Sequence, residues 1–510
     1  EFISTILDPP IGPGLDPEQV LAGNFAPVNE LPPTACHVAS GALPACLDGA
    51  YIRNGPNPQF GPRGSYHLFD GDGMLHAIKI SKGEATFCSR YVKTYKYVTE
   101  HNIGYPIFPS IFSSFNGFKA SVASSALFFA RLLSGQINPK THGFGLANTS
   151  VAHLCGQLYA LGESDLPYAI RLTPDGDIIT LGRRSFESEP FRSMTAHPKT
   201  DPDTGELFAF RYFGTHPYLT FFRIDPDGTK QRDVPIFSME AASMVHDFAV
   251  TKGFVVFPDT QIMCNLWHVI RGKSIIGFNP DKVPRLGVIP RYAEDESDMY
   301  WIDVPGLNMV HVVNAWDEDD GETIVIMAAN ALSFEHILEQ MHLVHISLER
   351  VEIDTKAKKV VMRRQVSARS LEFGVINPQY TAKKNRYIYA AEMESMPKIA
   401  GVVKVDLSLF SDDGGGDCVE DGIVASRIYG PGCYGGEPFF VPREPDNPDA
   451  DEDDGYLVTY VHNENTEKSN FIVMDAKSPN LDIVADVMLP ARVPYGFHGM
   501  FVKENDLNVL

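Results

Sequence analysis

Four histidines stand in unusual local sequence. His197 lies in Met194-Thr-Ala-His-Pro198, His246 in Ser243-Met-Val-His-Asp-Phe248, His311 in Asn308-Met-Val-His-Val-Val-Asn-Ala-Trp316 and His498 in Pro494-Tyr-Gly-Phe-His-Gly499. Neutral imidazole is a good ligand for first-row transition metals, ferrous iron among them. Four rings meeting at one point could therefore hold one ion. The first two separations are 49 and 65 residues, and His498 lies about three such intervals beyond His311. Side chains this far apart meet only if a repeating architecture carries equivalent positions of different repeats to a common axis. Spacing alone is weak support, because a single buried histidine is more often a satisfied core residue. The other histidines read more plainly. His336, His342 and His345 are six and three residues apart, which does not suit a helical metal pair, and no Cys or carboxylate completes them. His67 and His76 flank Phe69-Asp-Gly-Asp-Gly-Met74 and read as turn or core residues.

The elements that would position such a cluster are strands. Gly (42) and Pro (37) make up about 15% of the 510 residues, above the usual share of about 12%, which marks a turn-rich, β-rich chain. Strand-like runs begin at Leu75, Gln157, Glu206, Gly253, Thr323, Arg386 and Tyr456. Turn signals fall between them: Pro174-Asp-Gly176, Pro226-Asp-Gly228, Asp319-Asp-Gly321 and Asp453-Asp-Gly455. Seven units at intervals of about 45–80 residues predict an all-β fold, a β-propeller, in one domain spanning 1–510. The formal charge of −22 repels phosphate backbones, so nucleic acid is not an expected partner. Seven Cys are too few for a disulfide scaffold. No run reaches the roughly 18 apolar residues of a membrane span. The acidic stretches Asp412–Glu420 and Asp446–Asp454 lack the ligand order of a calcium loop and read as solvated surface. The chain starts at Glu1, and a targeting leader is expected to be missing from it.

One segment breaks the strand pattern. Between Pro109 and Gly135, Ile111, Phe115, Phe118, Val122, Ala126, Phe129 and Leu133 recur at steps of three and four, which is one face of a helix. Lys119 and Arg131 are its only charges. Such a face is either buried in the core or lies in the plane of a lipid surface. The second alternative is the expectation carried forward: a helical, membrane-facing insertion over 109–135.

The four histidine contexts occur with Tyr51-Ile-Arg-Asn-Gly-Pro-Asn-Pro58, Phe69-Asp-Gly-Asp-Gly-Met74, Gly432-Cys-Tyr-Gly-Gly-Glu-Pro-Phe-Phe440 and Phe471-Ile-Val-Met-Asp-Ala476. Together, and in this order, they resemble the carotenoid cleavage dioxygenases, from about residue 20 to the end, and most nearly the plant plastid members. The resemblance implies a seven-bladed propeller with a helical cap over the metal-site face. It implies one Fe(2+) held by His197, His246, His311 and His498. Glu163, Glu372 and Glu437 would orient His246, His311 and His498 in turn, leaving His197 without a carboxylate. Thr149 would limit the sixth coordination position with its methyl group. Phe497 and Val310 are candidates for the substrate tunnel.

The implied reaction inserts both atoms of O2 across one C=C of a carotenoid or apocarotenoid, giving two carbonyl products by way of a dioxetane or an epoxide-like intermediate. Val310-His-Val-Val-Asn-Ala-Trp-Asp-Glu-Asp-Asp-Gly321, Ile399-Ala-Gly-Val-Val-Lys404 and Phe501-Val-Lys-Glu-Asn-Asp-Leu507 resemble the plastid-globule class, which cleaves at the 9,10 (9',10') bond. The class that cleaves nine-cis-epoxycarotenoids at 11,12 toward abscisic acid carries an aromatic residue where this chain has Val310. That class is the alternative, and a catalytically inactive carotenoid-binding propeller is a second one. The expected location is a plastid (chloroplast), peripheral to thylakoid or plastoglobule lipid.

Overall fold

The computed structural model describes residues 21–507 apart from 62–65, 109–117, 187–192, 213, 265–275, 338–339, 411–420 and 446. The stretch 412–420 and residue 446 of the two acidic segments lie outside these. The described part is mostly β. All seven strand-like runs form strands: Gly73–Ser81, Gln157–Leu161, Leu207–Tyr212, Phe254–Asp259, Thr323–Leu332, Tyr387–Ser395 and Gly455–Asn463. Each is interior to an antiparallel sheet, paired on both sides. An interior strand covered on both faces has no wet side, so its sequence reads as one apolar run rather than an alternation.

The sheets follow one another along the chain. A five-stranded sheet contains Gly49–Pro56, Gly73–Ser81 and Glu84–Tyr91, and four-stranded sheets follow over 150–183, 199–236, 249–303 and 309–365. A ten-stranded sheet then takes up 371–488, its two halves joined through Cys433–Gly435, which pairs with Lys398–Asp406 and with Gly455–Asn463. The chain ends are exchanged between first and last sheets. Leu31–Ala35 and Gly499–Lys503 are the outer strands of the five-stranded sheet, and His37–Gly41 pairs with Ile483–Met488 of the ten-stranded one.

Apolar clusters join each sheet to the next. Phe208 and Phe210 of one sheet pack with Phe248 and Phe257 of the next, the Phe210 and Phe248 rings 5.0 Å apart. A further cluster closes the succession by packing Tyr51, Ile78 and Phe87 of the first sheet on Tyr460, Phe471 and Val487 of the last. These side chains are buried, and truncating any one of the large ones would cost about 3–5 kcal/mol.

Two helices, α1 (Tyr95–Ile103) and α2 (Phe118–Leu133), and a single helical turn, Pro139–His142, lie between the first and second sheets among the described residues. Thr94 Oγ1 accepts the Tyr97 amide at 3.1 Å and starts α1, and Gly104, at φ +84°, ends it in the left-handed conformation that glycine tolerates. The apolar residues of α2 divide. Phe128 and Leu132 pack on Ile107, Phe108 and Ile137, and Arg131 donates to the Ile107 carbonyl at 2.9 Å. The stripe read from the sequence faces outward: Val122, Phe129 and Leu133 are 48%, 61% and 89% exposed. Ile111, Phe115 and the Phe118 side chain lie outside what is described.

Lys96 ties α1 to the 66–72 loop. Its ammonium sits 3.0 Å from Asp72 and 2.7 Å from Glu100, and Glu100 Oε1 accepts the amides of Ile107 and Phe108 at 2.8 and 2.9 Å. Both carboxylates are buried. Lys96→Met would leave two buried carboxylates facing each other without a cation, a loss of about 3 kcal/mol or more. The expected outcome is a lower denaturation midpoint and faster proteolysis within 95–135, measured on the purified variant.

Candidate metal centre

Each of the four histidines stands at or just before an outer strand of its sheet. His197 precedes Lys199–Thr200, His246 precedes Ala249–Val250, and His498 precedes Gly499–Lys503. His311 lies within Met309–Glu318, between two irregularities in the ladder with Thr323–Leu332. Such bulges re-aim side chains and are frequent beside active sites.

The structure brings all four rings together. The Nε2 atoms of His197 and His246 are 3.1 Å apart, as are those of His246 and His311. One ligand atom from each of the four lies within 4.8 Å of every other. Three of the Nδ1 atoms point away. That of His311 donates to Glu372 Oε1 at 2.7 Å and that of His498 to Glu437 Oε1 at 2.9 Å. His246 Nδ1 donates to Glu163 Oε1, whose other oxygen accepts the Tyr212 hydroxyl at 2.6 Å. No carboxylate pairs with His197 among the described residues. A proton held on Nδ1 leaves the Nε2 lone pair free and aimed inward, the arrangement that fixes a metal-binding imidazole's tautomer and angle.

The donor set fits one divalent transition metal. Two imidazole nitrogens bound at right angles at about 2.1 Å would stand about 3.0 Å apart, close to the observed spacing. Burial, and then the neighbouring rings of His498, His246 and His311, push His197 well below the usual imidazole range, so it is neutral. Burial also lowers His311, against the pull of Glu372. In His246 the burial effect is outweighed by Glu163, which raises it. Burial favours the neutral form of Glu372, but His311 and the Phe373 amide hold it below the usual carboxylate range. The three carboxylates nearly offset a 2+ ion, which makes the group tolerable in a largely buried place.

Thr149 lies against this cluster through its backbone: its carbonyl accepts the His498 amide at 3.2 Å, and its hydroxyl lies 3.2 Å from Asn148 Oδ1. Phe497 is half-buried, its ring 5.6 Å from that of Phe69 and edge-on to it. Val310 is half-buried and packs on a separate cluster that includes Ile262, Ala329 and Ile346.

The whole-chain comparisons agree with this geometry. Residues 25–503 match the family described as retinal pigment epithelial membrane protein. The chain is 60% identical to probable carotenoid cleavage dioxygenase 4, chloroplastic, of Arabidopsis thaliana, covering 100% of this chain and 85% of that protein. It is 53% identical to 9-cis-epoxycarotenoid dioxygenase NCED1, chloroplastic, of Oryza sativa subsp. japonica, over 99% of this chain and 79% of that protein. This chain belongs to the plant carotenoid cleavage dioxygenase family. Among solved structures it is similar to the lignostilbene dioxygenase of Pseudomonas brassicacearum, with a TM-score of 0.80 and 24% identity over 97% of this chain and 100% of that one. At that identity the likeness speaks for the fold alone.

Three residues of this dioxygenase centre carried no assigned role in the sequence. Tyr212 anchors Glu163, and its burial, reinforced by that carboxylate, keeps the phenol protonated and donating. Phe373 sits 5.5 Å from the His311 ring and 5.4 Å from the His498 ring. Phe69 packs on Phe497. The available signals were position next to Glu372 for Phe373 and membership of the Phe69–Met74 motif for Phe69. Tyr212 gave none, because its link to Glu163 crosses two sheets.

Glu372 is 2% exposed and holds both His311 and the Phe373 amide. Glu372→Gln keeps its shape but removes the charge that holds the His311 proton. Metal affinity or activity should fall roughly 10- to 100-fold; metal titration of the variant against unmodified protein measures it, and equal affinity would make Glu372 structural only.

Proposed function

We propose that this chain is a non-haem ferrous dioxygenase that binds Fe(2+) through His197, His246, His311 and His498. It would split one C=C of a carotenoid or apocarotenoid into two carbonyl products, with the 9,10 (9',10') bond as the favoured position. The observation that carries the reading is the convergence of four imidazoles, three of them backed by buried or half-buried carboxylates. Iron held there would supply the binding and activation of dioxygen. The protein's own task is to place one double bond beside that point and to keep water out. The edge-on pair Phe69 and Phe497, with Phe373 beside His498, supports an aromatic wall suited to a polyene, and the bond of the Thr149 carbonyl to the His498 amide supports a place for Thr149 beside that ligand. No side-chain acid or base is required, because the products keep every hydrogen of the substrate.

A single domain in the form of a seven-bladed propeller is supported by the succession of sheets, with the ten-stranded one read as two blades, and by the apolar contacts that run from the last sheet to the first. The 9,10 position is supported by an aliphatic Val310 before His311 and by the resemblance of the 310–321, 399–404 and 501–507 segments to the plastid-globule class. The similarity to the rice 9-cis-epoxycarotenoid dioxygenase favours 11,12 cleavage as the second reading. The names of both relatives support a plastid location.

The outward stripe of α2 supports attachment to a lipid surface, with the helices capping the site. No described helix is long and apolar enough to cross a membrane. Val122, Phe129 and Leu133 would instead lie in the plane of the surface, each contributing roughly 1.5–3 kcal/mol on transfer. With a net charge of −22 the attachment must be hydrophobic, and salt should weaken it little.

Incubating iron-loaded protein with several carotenoids and apocarotenoids tests the reaction. Two carbonyl fragments are expected, and their masses give the bond. A single product with all carbons would indicate isomerisation, and no product at all would indicate an inactive binder. His311→Ala should lose most iron and turnover; full retention of both would overturn the metal assignment. Replacing Val122, Phe129 and Leu133 together with Ser should leave a folded, iron-replete protein that no longer sediments with liposomes. Unmodified protein that ignores liposomes at every salt concentration would overturn the lipid reading.

A further inference from the structure

Just outside the imidazole cluster, one carboxylate touches three of the four histidine-bearing segments. Asp247 directly follows His246. Its Oδ2 accepts the amide of Val312, the residue after His311, at 2.7 Å. Its Oδ1 lies 2.9 Å from the ammonium of Lys199, two residues after His197, and accepts the Phe248 amide at 2.8 Å. Lys199 also donates to the Val312 carbonyl at 3.3 Å. The Asp247 side chain is 3% exposed and that of Lys199 22%.

These segments are the ones that the sheets hold least. Lys199–Thr200 and Ala249–Val250 are two residues long, each with a strand on one side only. The ladder around His311 is interrupted on both sides of it. Glu163 and Glu372 fix how the rings of His246 and His311 turn, but each holds one ring and neither sets the distance between segments. His197 has no such carboxylate among the described residues. We propose that Asp247 and Lys199 are positioning residues that set the spacing of His197, His246 and His311, and with it the metal affinity of the centre. This rests on the metal reading above. Asp247 gathers the three segments where ladder bonds are few, and Lys199 carries the constraint to the one histidine that lacks a carboxylate.

The test is titration of metal-free protein with Co(2+), following visible absorption, beside the melting temperature of the same metal-free samples. Asp247→Asn and Lys199→Met should each weaken cobalt binding tenfold or more and shift the absorption bands. Lys199→Arg should restore most of the affinity. A control is Lys404→Met, which breaks the buried pair with Asp453 (2.6 Å) in the ten-stranded sheet, away from these segments. It should lower the melting temperature and leave cobalt affinity and spectrum unchanged. If Asp247→Asn does not fold, Lys199→Met, altered at its more exposed member, carries the test. Unchanged cobalt affinity and bands in Lys199→Met, with only the melting temperature lowered, would overturn the proposal. His311→Ala separates the two readings: if it binds cobalt as the unmodified protein does, or if the unmodified protein binds none, the metal reading itself fails.

Discussion

Acceptor nitrogens forced within 3.1 Å of one another repel unless something positive lies between them. That constraint orders the rest of the molecule. It requires the Nδ1 protons to be held elsewhere, and Glu163, Glu372 and Glu437 hold three of them. The carboxylates need their own anchors: the Tyr212 hydroxyl for Glu163, the Phe373 amide for Glu372 and the Gly499 amide, at 3.0 Å, for Glu437. Those anchors come from different sheets. The centre therefore exists only when the sheets are packed in their final relation, and the apolar clusters between them supply the free energy that brings the imidazoles together.

How much of this was legible follows from the kind of signal each residue carries. The seven interior strands were visible because burial on two faces removes alternation and leaves uniform apolar runs such as Leu207-Phe-Ala-Phe210. The outer strands were not. Lys199–Thr200 and Ala249–Val250 are too short for any period to show, yet these are the strands beside His197 and His246. The four histidines and three glutamates were found through resemblance of motifs, since their separations in sequence say little. Tyr212 and Asp247 escaped, because a hydrogen bond between sheets leaves no trace in local pattern. The helix over 118–133 was legible as a helix, but the period gave only which residues share a face. Which face meets the protein depends on Ile107, Phe108 and Ile137, and these lie outside the repeat.

The division of α2 has a mechanical consequence. Its inner face rests on the segment whose amides are held by Glu100, and Glu100 shares Lys96 with Asp72 in the loop that carries Phe69. Phe69 in turn packs on Phe497, which precedes His498. The outward apolar stripe and the histidine cluster are thus linked by apolar packing at each end and by buried charge-assisted bonds between. Under the proposed lipid reading this link fixes the histidine cluster relative to the surface before substrate arrives, and preorganisation of this kind lowers the entropy cost of binding a long, stiff polyene.

Phe373 shows where the fold accepts a local penalty for the centre. Its φ of +49° lies in the left-handed region, which a bulky residue enters at a cost of about 1–2 kcal/mol. The Phe373 amide lies in the peptide plane it shares with Glu372 and donates to that carboxylate, while the positive φ sets where the Phe373 ring and the following chain go. The ring is then left against both His311 and His498. A glycine here would relieve the strain, yet it would lose the ring that packs on two imidazoles. An alanine would keep the strain and also lose the ring. An aromatic side chain on a strained backbone is therefore accounted for by where that backbone puts the ring, as an apolar plate against His311 and His498.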